Sequence, residues 1–402
     1  MASTRSQNQE PSRLVPIGLA LPLVAFVLVT FVIPLGTMVV QSAYDPQVAQ
    51  ALPKTLDLLR DWNDSALPSS DVFETIASEL ISSREDRSIG KVATRVNRIK
   101  SGSRSVFAKT ARRLERVEDT DLKTAMIEID DRWEDIELWR AIRSAGQKFT
   151  ARHYLRSVDL EPAQDGGIQQ VSEDQRIYNT LYFRTVYVSL AVTVLCFLIG
   201  YPIAYAIASV SDSWAKILLV IVLVPFWTSL LVRTTSWLVL LQNQGVVNDV
   251  LVWIGLVSDD SRLALVHNMT GTLIAMTHVL LPFMILPLYA VMRSIPPDYM
   301  RAAASLGANP IEGFVKVYFP QSLPGVSAGC LLVFILSLGY YITPALVGGT
   351  KGQLISNMIA YHIQTSLNWG LAAAISVILL IGVFVCYFIF DRWVGIDKLK
   401  LG

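Results

Sequence analysis

Pro296-Pro297-Asp298-Tyr299-Met300-Arg301-Ala302-Ala303-Ala304-Ser305-Leu306-Gly307-Ala308-Asn309-Pro310-Ile311-Glu312-Gly313-Phe314-Val315-Lys316-Val317-Tyr318-Phe319-Pro320-Gln321-Ser322-Leu323-Pro324-Gly325 is punctuated as two short helices. The first begins near Asp298 and runs through Ala302 to Leu306, where Gly307 suits the left-handed conformation that ends a helix. Asn309 can cap the second, Pro310 fits its first turn, and Glu312 stands at capping-box spacing. Val315, Tyr318 and Phe319 give that helix an apolar side, and Pro320 is expected to close it. Ala302, Ala303 and Ala304 make a small-residue face that another helix or groove can approach closely. A capped pair of this kind is built to be gripped rather than to catalyse.

On either side of this segment the chain is apolar. Of its 402 residues, 52% are hydrophobic and 17% charged, against roughly 25% charged in a soluble protein. Well over half of the charges fall within 45–178, so the remainder reads as membrane spans around one soluble insert. A net charge of +1 gives no global reason to bind nucleic acid. Cys196, Cys330 and Cys386 lie in apolar stretches, unspaced for a disulfide or a metal.

A bilayer core needs about 20 apolar residues per helix. Six segments qualify: 15–40, 182–209, 216–241, 269–292, 324–346 and 371–391. The first is too long for a signal-peptide core and reads as a retained anchor. Pro22, Pro34, Pro202, Pro225, Pro282, Pro287 and Pro344 interrupt the spans, which membrane helices tolerate. Basic residues mark one side: Arg5 and Arg13, Lys216, then Arg293, Arg301 and Lys316, then Arg392, Lys398 and Lys400. The opposite loops offer Arg262 and Lys351. The positive-inside rule therefore puts both termini in the cytoplasm and the insert outside.

The insert reads as mostly helical. Leu122, Met126, Ile129, Trp133, Ile136 and Leu138 recur at helical intervals, with Asp119, Thr120 and Asp121 as cap candidates. A basic stretch from Arg87 to Arg116 faces an acidic one from Glu128 to Glu137. Two readings are open, a helical hairpin with complementary faces and a docking surface for a partner protein. Asp165-Gly166-Gly167 reads as a linker back to the membrane.

The quoted segment resembles the EAA loop of ABC-importer permeases, whose pattern is Glu-Ala-Ala, three residues, Gly, then Ile-x-x-Pro. Here the matching residues are Arg301-Ala302-Ala303, Gly307 and Val317-Tyr318-Phe319-Pro320, with Arg301 in place of the family's Glu. Gly200 through Tyr205, Pro225 through Thr234, Gly339 through Pro344, Gly348-Gly349 and Asn368-Trp369 resemble the spermidine/putrescine permease subfamily. The resemblance covers about 14–44 and 180–395. It implies an all-α membrane protein with six spans in the type I, MetI-like permease fold, to which the insert adds a helical periplasmic domain between spans 1 and 2. The divisions expected are 1–41 (tail and first span), 42–180 (insert), 181–395 (permease core with coupling loop 293–323) and 396–402 (tail).

It also implies a transport subunit that is no enzyme and holds no metal or cofactor of its own. ATP and Mg are bound by two partner ATPase subunits. A second permease subunit in a heterodimer, a periplasmic solute-binding protein and membrane lipid are the other partners, in a bacterial inner membrane. Arg301, Ala302, Ala303, Gly307, Asn309, Pro310, Phe314 and Pro320 would couple to the ATPase. Polyamines are the implied solutes; an amino-acid derivative, opine or other organic ion is the alternative.

Arg233 stands well inside a span, where a charge costs about 2.5–3.5 kcal/mol on insertion scales. It either lines the translocation cavity or bonds to carbonyls of a broken helix. Trp227, Trp237, Tyr340 and Tyr341 are further path candidates, because aromatic faces bind organic cations. His278 reads as a hydrogen-bonded helix contact. No Asp or Glu lies inside the apolar core of any span, where a polyamine path would favour one; Asp391 only closes the last.

Other classes fit less well. Gly348-Gly349-Thr350-Lys351-Gly352 lacks phosphate-loop spacing. A membrane-anchored sensor would need a cytoplasmic output domain, and an autonomous secondary transporter usually shows repeats and intramembrane acid or His relays.

Overall fold

Two prolines in apolar helices are each preceded by a widened turn. A proline ring clashes with the carbonyl four residues back. At Pro34 and Pro320 that carbonyl belongs to a π turn, Leu28–Val32 and Phe314–Tyr318 respectively. Both helices therefore continue through the proline. Pro320 does not close the second helix of the 296–325 segment, as its sequence suggests; it lies in the first turn of the span that follows.

The computed structural model describes residues 14–116, 121–163 and 167–394. Arg5, Arg13, Asp119, Thr120, Asp165, Gly166, Lys398 and Lys400, and the tail 396–402, lie outside them, as does the side chain of Arg116. The chain divides into compact units 1–154 and 155–402.

In the first unit, α1 (Leu14–Val27) and α2 (Ile33–Ala43) form the first apolar helix. The insert follows as α3 (Gln47–Ala51), α4 (Pro53–Leu58), α5 (Ser70–Glu85), α6 (Ile89–Ile99), α7 (Ser103–Arg113), α8 (Leu122–Ile129) and α9 (Ile136–Ala145). The periodic run from Leu122 is not one helix. Asp121, Asp130 and Asp135 each accept a backbone N–H two residues on, so the run becomes two helices around a 3-10 turn, Asp131–Glu134. Phe73, Phe107, Trp133 and Trp139 are fully buried together. Trp133 Nε1 donates to Thr110 Oγ1 at 2.8 Å and Trp139 Nε1 to the Trp133 carbonyl at 3.0 Å. Buried Glu79 accepts the Lys54 and Thr55 N–H groups at the start of α4. The basic and acidic stretches meet through Lys100–Asp135 and Lys109–Asp130. The insert is thus a helical domain with its own core rather than a simple hairpin.

The second unit begins inside the expected insert. There β1 (Leu160–Pro162) pairs antiparallel with β2 (Ile168–Gln170), on either side of the segment that the sequence suggests as a linker. Asp159 explains why this segment belongs to the permease side. Its buried carboxylate accepts the backbone N–H groups of Ile177, Tyr178 and Asn179 at 2.8–3.1 Å, capping α10 (Tyr178–Ser209).

α10 packs with α13 (Met269–Ser294) and α16 (Phe319–Leu338). Small residues permit the approach. A Cβ on Gly329 would stand 2.8 Å from Met284 Sδ and 3.2 Å from the Met284 carbonyl oxygen, and one on Gly200 3.0 Å from Met284 Cγ. The third span departs from the expected continuous 216–241. α11 (Asp212–Trp227) and α12 (Leu230–Leu240) meet at 94°. The fifth ends at Leu338 rather than near 346, because the chain leaves the helix at Gly339–Tyr341 before the short Ile342–Val347 helix. The last span is Trp369–Val394. Among the described residues, five helices are long and apolar enough to cross a membrane, six if the bent pair counts as one span.

Candidate functional site

The 296–325 segment forms the capped pair. α14 (Asp298–Ser305) ends in a Schellman motif: Gly307 has φ +88°, its N–H donates to the Ala304 carbonyl, and the Ala308 N–H donates to that of Ala303. Asn309 then caps α15 (Pro310–Gly313). The Glu312 N–H donates to Asn309 Oδ1 at 2.9 Å, and the Asn309 N–H donates to Glu312 Oε2 at 3.3 Å, which completes the capping box. Pro310 occupies the first turn, where its missing N–H costs nothing.

The pair presents an apolar surface. Leu306 is 90% and Ile311 76% exposed, with Ala302, Ala304 and Val315 exposed beside them. Ala303 points the other way and is buried; a Cβ on Gly313 would stand 3.9 Å from its own. Arg301 is exposed and pairs with Asp298 at 3.1 Å, one turn away. An exposed pair of this type contributes little to stability, so Arg301 is held loosely.

Phe314 turns toward the spans. It stacks on Tyr318 at 5.8 Å between ring centroids and meets Tyr205 edge-on at 5.7 Å. Tyr201 joins this cluster and shares a hydrogen bond with Ser322 at 2.9 Å. A detectable signal existed: Tyr201/Tyr205 and Phe314/Tyr318 are both i, i+4 aromatic pairs, which share a helix face. Arg293, read from sequence only as a topology charge, ties the end of α13 to the α10–α11 turn. It donates to the Ala208 and Val210 carbonyls and pairs with Asp212. The loop is therefore joined mechanically to the second and fourth spans.

The break in the third span forms the second part of the site. Thr228 and Ser229 are extended, and Ser229 Oγ caps α12 by accepting the Val232 N–H at 3.1 Å. Arg233 donates to the carbonyls of Pro225 and Thr228, the latter at 3.1 Å, thus satisfying backbone that the break leaves open. Arg233 also lines a cleft of about 280 Å³ with Phe226, Thr228, Phe283 and Tyr340. Phe226 and Phe283 meet edge-to-face at 5.0 Å.

The other path candidates are not gathered there. Trp237 Nε1 donates to His278 Nδ1 at 3.0 Å, a helix-to-helix contact. Trp227 is 75% exposed, and Tyr341 is exposed with its carbonyl accepting from Asn357.

Residues 175–396 match the family described as binding-protein-dependent transport system inner membrane component. The spermidine/putrescine transport system permease protein PotB of Haemophilus influenzae is 34% identical over 220 residues, 54% of this chain and 76% of that protein. The inner membrane ABC transporter permease protein YdcU of Escherichia coli is 33% identical over 220 residues, 52% of this chain and 70% of that one. A solved bacterial alginate ABC transporter, in complex with an alginate pentasaccharide-bound periplasmic protein, has a chain 19% identical to this one. That match covers 56% of this chain and 80% of that one, with a TM-score of 0.44. These relatives are transport subunits rather than enzymes. The chain belongs to the binding-protein-dependent transport system inner membrane component family and is a multi-pass inner-membrane permease subunit of an ABC importer.

Proposed function

We propose that this chain forms half of the membrane path for a small polar solute, with polyamines such as spermidine and putrescine favoured. It passes the ATPase stroke to that path through the 293–323 loop. The observation that carries the proposal is the loop's construction. A rigidly capped pair exposes Leu306, Ile311 and Ala302 on one side, and Phe314 engages Tyr205 on the other. A push on the exposed side then reaches the spans without being lost in a flexible link.

In this reading the loop and both termini face the cytoplasm and the insert faces the periplasm. A periplasmic solute-binding protein delivers the solute to a heterodimer of this chain and a second permease. Two ATPase subunits, holding ATP and Mg, bind from below, and this chain carries no cofactor itself.

The polyamine choice is supported by the relatives' solutes and by the aromatic walls of the cleft, whose faces attract organic cations. Arg233 and the absence of Asp or Glu from the apolar core of every span favour a second reading, an opine or other organic anion. Uptake of labelled putrescine, spermidine and an opine by the reconstituted four-part importer separates them. Saturable polyamine uptake that needs ATP and the binding protein is expected. Opine uptake without polyamine uptake contradicts the solute, and transport by this chain alone contradicts the whole proposal.

A further inference from the structure

The last turn of α2 is stitched directly to the far end of the insert. The Thr150 N–H donates to the Ala43 carbonyl at 2.8 Å, and the Asp45 N–H donates to that of Lys148 at 2.9 Å. Tyr44 pairs with Phe149 in an antiparallel bridge, with ring centroids 5.1 Å apart. These contacts bring Lys148 and Phe149 beside the last turn of the span. The apolar run of the span ends at Val40, before Gln41 and Ser42. At about 1.5 Å rise per residue, Ala43 stands about 5 Å beyond it. The headgroup layer adds roughly 5–7 Å to each side of the hydrocarbon core, so Ala43 lies within it.

Phe149 is 74% exposed at that depth, where an aromatic ring is favoured and not merely tolerated. Beside it opens a cleft of about 780 Å³ lined by Pro53, Leu56, Arg60, Gly146, Lys148 and others. Gly146 lets Leu56 pack against the backbone, because a Cβ there would come within 2.2 Å of the Leu56 side chain. Arg60 and Lys148, both exposed, line it together with Arg143 and the single carboxylate of Asp57. Phe149 brings the cleft beside the last turn of the span, and the apolar side chains of that span from Leu21 to Leu35 are exposed.

We infer that this cleft is a phospholipid clamp that holds the insert against the membrane surface at the C-terminal end of the first span. The acyl–headgroup boundary covers Phe149 and Leu56, and Arg60 and Lys148 reach the phosphate of an anionic phospholipid such as phosphatidylglycerol, their stems lying along apolar surface with the charged heads outward. The inference goes beyond the importer proposal and does not depend on the solute. It predicts an insert docked on the bilayer, not tethered above it.

The test is spin-label accessibility in the full chain, with Cys196, Cys330 and Cys386 replaced by alanine, in phosphatidylglycerol nanodiscs. One label is placed by Phe149→Cys, and a control by Ser105→Cys on the exposed face of α7. The label at 149 should collide with oxygen at least severalfold more than with a polar nickel reagent, and the control should show the reverse. Adding Arg60→Glu and Lys148→Glu should abolish most of that preference while the control is unchanged. A label at 149 as open to nickel as the control overturns the clamp, and so does a preference that survives the double substitution. Neither readout involves transport, so failure here leaves the importer proposal standing.

Discussion

The insert and the permease bundle solve the same packing problem in opposite ways. The insert buries its largest side chains, Trp133, Trp139, Phe73 and Phe107, and pairs its charges at the surface. The bundle leaves many of its large apolar side chains facing outward and brings α10, α13 and α16 together through Gly200, Gly325 and Gly329. Water drives the first arrangement. In lipid no such drive exists between helices, so close approach and satisfied backbone carry the second. One chain thus contains two sets of rules, and a substitution harmless in one unit is damaging in the other.

Substitutions can break this contrast at either end. Trp133→Ala removes a fully buried side chain and leaves Thr110 without its partner, which should cost about 3–5 kcal/mol. Limited proteolysis of the membrane-embedded chain should then cut within the insert while the spans stay protected. Gly329→Leu should cost about 1–3 kcal/mol through overpacking, since its Cβ would crowd both the side chain and the backbone of Met284. Here thermal unfolding of the purified protein should drop, with the insert's protease resistance unchanged.

The smallest expected effect is pH-dependent. Burial, and then the nearby Arg98 guanidinium, push the His153 imidazole down to about 4. The folded insert therefore binds fewer protons than the unfolded chain between about pH 4 and the ordinary imidazole range near 6.5. Stability should be full above that window and fall as pH drops through it. His153→Gln should flatten the upper part of the profile. Asp130 acts lower. The hydrogen bond from Arg132 holds its carboxyl at about 2, so its contribution is lost only below the usual carboxylate range.

What the sequence revealed and what it hid follow from the range of each signal. The caps of the pair were legible because Gly307, Asn309, Pro310 and Glu312 lie within six consecutive residues. The spans were legible as apolar lengths. The 94° break was not, because Thr228 and Ser229 sit in an apolar run, and Arg233 reaches back eight residues to a carbonyl. Asp130 and Asp135 read as members of an acidic stretch, yet each also caps a turn and so cuts the periodic helix. Asp159 was hidden altogether. Its three bonds to the start of α10 lie 18 to 20 positions away, beyond any local pattern. Phe314 was read with the docking surface, but its ring belongs to the aromatic cluster behind it.

The account rests centrally on the coupling pair, and Gly307 is where it can be struck without disturbing packing. A Cβ there meets nothing within 4 Å, so a substitution acts only through the backbone at φ +88°. A β-branched residue disfavours that conformation by about 1–2 kcal/mol, whereas Asn tolerates it. Solute uptake and ATP hydrolysis should be measured together in the reconstituted importer carrying Gly307→Val or Gly307→Asn. The account predicts that Gly307→Val loses uptake at least severalfold while ATP hydrolysis continues, and that Gly307→Asn retains both. Unchanged uptake in Gly307→Val would contradict it.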